Sequence, residues 1–184
     1  AACKIMRGMY PDLPLVGIEP AVKPAAQNHR GEKVAVMATP LTLHEEKFKQ
    51  LVKRYENLAT IIPVPCPDLV EYVEKGILEG PELEGYLKDV LTPCLQEGVK
   101  AVVLGCTHFP LVKAAIGKVV GESVRIYDGG EGTARQAKCL LAAKNLCTDQ
   151  EKGHICFESS APEKEAYYEA LYRKAAHIDS RVKL

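Results

Sequence analysis

The stretch VVLGCTHFP, residues 102–110, decides the fold because it joins a buried strand to a set of reactive side chains. Residues 101–104 are apolar and two of the four are β-branched, which favours a β-strand buried on both faces. One glycine follows, and then Cys106, Thr107 and His108 place a thiol, a hydroxyl and an imidazole in consecutive positions. Because functional side chains of parallel α/β folds gather where the strands end, this stretch predicts both a parallel sheet and a site.

Short apolar runs alternate with helical patterns along the rest of the chain. The predicted strands are residues 13–19, 33–38, 60–64, 100–105, 124–127 and 154–157. The predicted helices are residues 1–10, 42–56, 67–75, 82–96, 110–120, 132–146 and 162–177. Apolar strands that alternate with helices form a parallel sheet covered on both sides. The predicted fold class is therefore α/β, with a parallel sheet flanked by helices on both faces.

Composition and charge argue against several classes of partner. Of the 184 residues, 47% are hydrophobic and 26% are charged, as in an ordinary globular protein. Lys plus Arg and Asp plus Glu both total 24, and this balance disfavours nucleic acid or an anionic membrane as a partner. The seven cysteines include no Cys-x-x-Cys pair, which favours reduced thiols in a cytoplasm over a metal site. No apolar run is long enough to cross a bilayer.

Cys106 has two interpretations. It follows the strand directly and precedes a helix whose first turn carries Pro110, so its thiol lies near a helix N-terminus and beside His108. Such a thiol is a candidate base or nucleophile. The alternative is a buried structural cysteine, which is our prediction for five others: Cys3, Cys94, Cys139, Cys147 and Cys156. Thr107 offers a hydroxyl and an N–H that suit an anion such as a carboxylate.

The stretch PCPDLVEYVEKG, residues 65–76, is the second informative segment. Asp68 and Glu71 are three positions apart, which predicts a capping box at the start of a helix. Glu74 is different, because it lies near the end of that helix, where the helix dipole disfavours a negative charge. A role in a site and a solvated helix face both remain open for Glu74.

Two further patterns are assigned structural roles. The stretch YDGGEGTARQ, residues 127–136, predicts a hinge or a crossing between lobes, since its spacing is not that of a phosphate-binding loop. In the last predicted helix one face carries an apolar and aromatic stripe, which core packing explains. The stripe consists of Tyr167, Tyr168, Leu171, Tyr172 and Ala175.

Five segments together resemble the glutamate racemases, a family of the cofactor-independent aspartate/glutamate racemase superfamily. The resemblance implies two similar α/β lobes with the active site between them, and one catalytic cysteine from each lobe. Cys106 matches the second cysteine, Thr107 and His108 match substrate contacts, and His108 and Glu74 match the groups that poise the proton of that cysteine. The segments are VGIEPAVKPA (16–25), ATPLTLHEEKF (38–48), PCPDLVEYVEKG (65–76), LGCTHFPLV (104–112) and YDGGEGTARQ (127–136).

The chain departs from the family at its start. The motif Ala-Cys-Asn-Thr-Ala-Thr around the first cysteine has no counterpart here, and the neighbours of Cys3 do not match it. The resemblance implies a fragment that lacks the N-terminal third of the enzyme. Residues 1–19 are then a remnant of the first lobe and the crossover, residues 20–128 a complete lobe with Cys106, and residues 129–184 the C-terminal part of the first lobe.

The implied activity is that of an isomerase. Glutamate racemases interconvert L- and D-glutamate by proton transfer with two cysteines, without cofactor or metal. They act in the bacterial cytoplasm and supply D-glutamate for peptidoglycan, the cell-wall polymer that sets cell shape. With one of those cysteines in this chain, we expect the fragment alone to be inactive, because inversion needs an acid and a base on opposite faces. Glutamate is the expected partner and a homodimer remains open, whereas nucleic acid and membrane are not expected.

Two alternatives stay open from the sequence. The parent protein can act on another substrate of the superfamily, such as aspartate or a hydantoin, because the lobes and cysteines are shared. In the other alternative this chain is an inactive module that binds a carboxylate or associates with itself through an exposed apolar surface.

Overall fold

A computed structural model describes residues 2–149 and 153–181 of the chain. The chain divides into two compact units. The larger unit consists of Pro20–Asp128 and Phe157–Leu184, and the smaller unit of Ala1–Glu19 and Gly129–Cys156. Within the described residues, no helix is long and apolar enough to span a membrane.

The larger unit is built on a parallel sheet. Its strands are β1 (Lys33–Ala38), β2 (Thr60–Pro65), β3 (Ala101–Leu104) and β4 (Arg125–Tyr127), in the order β2-β1-β3-β4. Each neighbouring pair is parallel, with Met37 of β1 opposite Leu104 of β3. The chain leaves β1 toward one edge of the sheet and returns past it to β3, so the strand order reverses between β1 and β3. Open α/β sheets bind their ligands at such a reversal, beyond the carboxyl ends of the strands.

Helices cover both faces of this sheet. In chain order the helices are α1 (Ala2–Met9), α2 (Val22–Asn28), α3 (Pro40–His44), α4 (Glu46–Tyr55), α5 (Leu69–Glu74), α6 (Pro81–Gln96), α7 (Lys113–Val120), α8 (Gly130–Ala143) and α9 (Glu165–Arg181). Short 3-10 turns span Phe109–Val112 and Pro162–Lys164. Val34 and Val36 of β1 point toward α2 and α4, whereas Ala35 and Met37 point toward α5, α6 and α7. Alternate side chains of one strand therefore fill two separate cores, and the predicted fold class is confirmed.

Four of the six predicted strands are confirmed, and two are wrong. Residues 13–19 and 154–157 form no strand in the described part of the chain. Residues 13–19 include Pro14, which cannot donate to a strand ladder, and apolar side chains alone do not make a strand without a neighbour that accepts its backbone hydrogen bonds. Residues 154–156 are exposed, which removes the burial that favours a strand.

Several helix boundaries differ from the prediction. Glu45 is extended, with ψ of 135°, so the single helix predicted at residues 42–56 is divided into α3 and α4. The predicted capping box does not form, because the Asp68 side chain makes no cap hydrogen bond. The backbone N–H of Asp68 instead donates to Tyr86 Oη at 3.3 Å, and Glu71 lies 3.4 Å from the ammonium of Lys75. A tertiary contact thus replaces the local cap.

The smaller unit contains α1 and α8. Its packing is sparse: α8 has no buried residue, and in the described part of α1 Cys3 is half-buried and residues 4–9 are exposed. Lys144 Nζ donates to Asp12 O at 2.9 Å. Three cysteines predicted to be buried are exposed in this unit: Cys139, Cys147 and Cys156. That prediction was wrong because a pair of helices without a sheet buries few side chains. Cys3 is half-buried, and the prediction for Cys94, in the larger unit, is confirmed.

The boundaries of the two units can be compared with those of the predicted domains. They fall after Glu19 and after Asp128, next to the glycines of residues 127–136. The segment predicted as one piece, residues 129–184, is divided between the two units. Residues 157–184 belong to the larger unit because Leu171 and Ala175 of α9 are buried in its core.

Candidate active site

Gly105 fixes the geometry at the end of β3. Its N–H donates to Met37 O at 2.7 Å, which continues the pairing with β1 by one residue. A Cβ at this position would lie 2.7 Å from the same Met37 oxygen, so any side chain would force the backbone apart. Glycine therefore allows β3 to end against β1, and Cys106 follows at the reversal of strand order.

The turn after Gly105 holds the reactive side chains at the surface. Phe109 is fully buried, and its N–H donates to Cys106 O at 3.2 Å. Pro110 occupies the first turn of the 3-10 segment Phe109–Val112, as the sequence predicts. Since Phe109 anchors the turn in the core, Cys106 and His108 stay half-buried beside it.

Cys106, His108 and Glu74 form a line of hydrogen-bonding groups. The distance from Cys106 Sγ to His108 Nδ1 is 3.8 Å, and His108 Nε2 lies 2.9 Å from Glu74 Oε1. Glu74 is the last residue of α5, so the structure brings together three residues that the sequence singled out. We call this line the relay.

The relay fixes which ring nitrogen can accept a proton. A carboxylate only accepts hydrogen bonds, so Glu74 selects the tautomer of His108 with the proton on Nε2. The lone pair of Nδ1 then faces the Cys106 sulfur. His108 can take the proton of the thiol, and Glu74 can stabilise the resulting imidazolium, which leaves Cys106 able to act as a base.

Two other thiols of the larger unit are in different surroundings. Cys66 is fully buried, its thiol donates to Val64 O at 3.5 Å, and burial raises its pKa from 9.0 to about 12. Burial also raises the pKa of Cys94. Neither thiol ionises near neutral pH, and within the described residues neither has a histidine as hydrogen-bond partner.

A cleft of about 320 Å³ opens beside the relay. It is lined by Glu74, Thr107, His108, Leu111, Tyr168, Leu171 and Tyr172. Thr107 is exposed, and its hydroxyl makes no hydrogen bond to the part of the chain that the structure describes. Cys106 does not line the cleft, and its sulfur and the Glu74 carboxylate contact different nitrogens of the His108 ring. The cleft therefore flanks the relay on the side of the carboxylate.

Sequence reasoning missed the contribution of α9. The stripe on this helix was predicted to be core, which holds for Leu171 and Ala175, whereas Tyr167 and Tyr172 are 41% and 47% exposed. Hydroxyl groups on the stripe are the signal that could have shown this, because a tyrosine at a cleft keeps its hydroxyl available for polar contacts. In residues 2–149 and 153–181 no group of three or more His, Cys, Asp or Glu side chains is placed to hold a metal ion.

The fold and the relay define an α/β protein that can move a proton through a thiol at the carboxyl edge of a parallel sheet. Residues 2–137 match the family described as Asp/Glu/Hydantoin racemase, and the chain belongs to this family.

Individual relatives agree with this assignment. The glutamate racemase of Clostridium perfringens (strain ATCC 13124) is 43% identical over 165 residues, which are 89% of this chain and 64% of that protein. The glutamate racemase of Clostridium novyi (strain NT) is 45% identical over 84% of this chain and 60% of its own length. The crystal structure of Escherichia coli glutamate racemase in complex with L-glutamate and the activator UDP-MurNAc-ala is similar, with a TM-score of 0.75 and 30% identity. That likeness covers 93% of this chain and 65% of the E. coli chain, so the chain spans less than two thirds of each relative.

Proposed function

We propose that this chain carries one half of the active site of a glutamate racemase, an isomerase that interconverts L- and D-glutamate without a cofactor. The observation that carries the proposal is the relay, in which Glu74 orients His108 and His108 faces the Cys106 thiol. Curated glutamate racemases that are 43% and 45% identical to this chain support the choice of substrate.

In the proposed reaction Cys106 exchanges one proton with the α-carbon of glutamate. As a thiolate it takes the α-proton, the C–H electron pair stays on the α-carbon next to the carboxylate, and a thiol on the opposite face delivers a proton to that carbon. In the reverse direction Cys106 delivers the proton to the α-carbon, and His108 can return a proton to the thiolate that remains. The exposed Thr107 hydroxyl is placed to hold a substrate carboxylate next to the sulfur.

The opposite face requires a second acid, and our proposal assigns it to the other lobe of the racemase. Inversion with Cys106 alone would return the proton to the face from which it came. We therefore expect the 184-residue chain by itself not to racemise glutamate. The product of the complete reading frame is the material on which racemisation is measured.

The substrate is tested by comparing amino acids. Purified product of the complete reading frame is incubated with L-glutamate, L-aspartate or a 5-substituted hydantoin, and the optical rotation is followed. We expect loss of rotation with glutamate and a rate at least tenfold lower with the other two, because a shorter or cyclic substrate moves its α-carbon away from the Cys106 sulfur. Racemisation of aspartate or hydantoin with no change of glutamate would overturn the proposal.

The cellular role follows from the same proposal. Relatives of this chain come from Clostridium species, and a glutamate racemase in the cytoplasm of such a bacterium supplies D-glutamate for peptidoglycan. Growth of a D-glutamate-requiring bacterium on medium without D-glutamate, after it receives the complete reading frame, would support this role. A homodimer is a further proposal, which sedimentation of the same protein tests.

A further inference from the structure

Helix α5 ends at Glu74, and the turn that follows it through Gly76 leaves two backbone carbonyl groups without a hydrogen bond from the helix terminus itself. Gly76 has φ of 71°, its N–H donates to Val73 O, and the N–H of Ile77 donates to Tyr72 O, both at 2.9 Å. This pair of hydrogen bonds is the Schellman motif, which satisfies some of the last carbonyls of a helix. The carbonyls of Glu74 and Gly76 are not used in it.

Helix α9 supplies donors to both of these carbonyls. Tyr167 Oη donates to Glu74 O at 2.5 Å, and Lys174 Nζ donates to Gly76 O at 2.8 Å. Tyr167 and Lys174 are seven positions apart, which is two helical turns, so they lie on the same face of α9. The ammonium of Lys174 also offsets the negative end of the α5 dipole, where Glu74 adds a further negative charge.

Helix α9 is itself held in place. Leu171 lies between Tyr167 and Lys174 in the sequence, and Ala175 directly follows Lys174. Leu171 and Ala175 are 8% and 5% exposed and pack in the core of the larger unit. The two hydrogen bonds therefore connect the end of α5 to an element fixed by burial. The end of α5 matters because the Glu74 side chain is 40% exposed, so its carboxylate is held on His108 only while the backbone at Glu74 stays in place.

We propose that Tyr167 and Lys174 are positioning residues for the relay. By fixing the backbone at Glu74 and Gly76, they keep the Glu74 carboxylate on Nε2 of His108, and so keep Nδ1 facing the Cys106 sulfur. The role in catalysis rests on the proposed racemase activity. The effect on the ionisation of Cys106 does not depend on that activity. Measuring this ionisation therefore tests the positioning role separately from the proposed function.

The test compares Tyr167→Phe and Lys174→Met with matched control variants in the product of the complete reading frame. Tyr55→Phe removes a hydroxyl from α4, on the other side of the sheet, and Lys88→Met removes an exposed ammonium from α6. Three quantities are measured for each variant: the pH dependence of Cys106 alkylation by iodoacetamide, the nitrogen chemical shifts of the His108 ring, and kcat and KM for glutamate.

We expect Tyr167→Phe and Lys174→Met each to slow Cys106 alkylation at neutral pH by about three- to tenfold, the effect of one lost hydrogen bond. The His108 nitrogen shifts should show less of the Nε2–H tautomer, and kcat should fall with little change in KM. The control variants should match the unsubstituted protein in all three quantities. A purely structural role for α9 would lower the melting temperature without moving the pH profile or the ring shifts.

A double substitution makes the test sharper. Glu74→Gln removes the carboxylate that α9 is proposed to position, so Tyr167→Phe should have no further effect on alkylation in a Glu74→Gln background. Unchanged alkylation and ring shifts in both α9 variants, or additive effects in the double variant, would overturn the positioning role. Altered alkylation in a protein that does not racemise glutamate would support positioning and refute the proposed function.

Discussion

Cys106 and Cys66 show how the surroundings of a residue decide its chemistry. Both thiols follow a strand of the same sheet, β3 and β2. Cys66 is sealed in the core, where no charged form is stabilised, and burial holds its pKa near 12. Cys106 is half-buried and faces an imidazole whose other nitrogen is held by a carboxylate. The sequence distinguishes them because a histidine follows two positions after Cys106, whereas prolines flank Cys66.

Thiol labelling of the folded protein checks this difference. With iodoacetamide at pH 7, we expect Cys106 to be alkylated at least tenfold faster than Cys66 or Cys94, because only ionised thiols react and the buried pair stays protonated. Peptide mass spectrometry after short labelling times measures each site separately. Labelling in denaturant, where all cysteines should react alike, is the control. Alkylation of Cys66 at the rate of Cys106 would show that the core is open at that position.

At the scale of secondary structure elements, the junction of β3 with the turn depends on Gly105. We expect Gly105→Ala to lower the free energy of unfolding by roughly 1–3 kcal/mol, because its Cβ would overlap Met37 O and push β3 from β1. Gly85→Ala is the matched control: it lies inside α6, where an added Cβ meets nothing within 4 Å. That substitution should raise stability by about 0.5–1 kcal/mol. Urea unfolding followed by circular dichroism measures both, and equal effects would contradict the close approach at Gly105.

The sequence predicted correctly those strands and turns that depend on residues close together in the chain. Strands β1 to β4 are confirmed because each is a short, mostly apolar run that pairs with a neighbouring parallel strand, and the Gly-Cys-Thr-His turn was placed correctly at a strand end. Helix α2 was missed because it is short and contains Pro24. The capping box at Asp68 failed because Tyr86, which is 18 positions away, takes the backbone N–H.

Contacts between distant residues could not be predicted from local patterns. His108 and Glu74 are 34 positions apart, and Tyr167 and Glu74 are 93 positions apart. For His108 and Glu74 the resemblance to a family indicated a shared site, whereas no pattern in the sequence connects α9 with α5. That connection depends on the tertiary packing of Leu171 and Ala175 into the larger unit.

At the scale of the whole molecule, the buried thiols make the folded protein sensitive to alkaline pH. The Cys66 thiol has a pKa of 9.0 in the unfolded chain and about 12 when buried. Between these values the unfolded chain has lost the proton and the folded chain keeps it, so stability falls as pH rises above 9. The loss is about 1.4 kcal/mol per pH unit for one thiol.

Urea unfolding with a reductant present, at several pH values from 8 to 11, measures this slope. In Cys66→Ala the slope should be less steep by about 1.4 kcal/mol per pH unit. The control Cys147→Ala, which removes an exposed thiol, should keep the original slope. Identical slopes in all three proteins would mean that Cys66 ionises in the folded state.

At the same scale, the length of the chain can be compared with the lengths of its relatives. It belongs to a racemase family, yet it spans 64% and 60% of the glutamate racemases of C. perfringens and C. novyi. The larger unit has the relay and the cleft, and among the described residues no thiol lines that cleft. Inversion of a carbon centre needs an acid and a base on opposite faces, so the proposed racemisation requires a further group opposite Cys106.

The most direct measurement is exchange of the α-hydrogen of glutamate for deuterium in D₂O, followed by proton NMR. The product of the complete reading frame is compared with its Cys106→Ala variant, and Cys147→Ala is the control. We expect exchange in the first and the control, and a loss of about 10²- to 10⁴-fold in Cys106→Ala, because a positioned base contributes that much. Exchange at an undiminished rate with both L- and D-glutamate in Cys106→Ala would contradict the assignment of Cys106 as the proton-transferring group on one face.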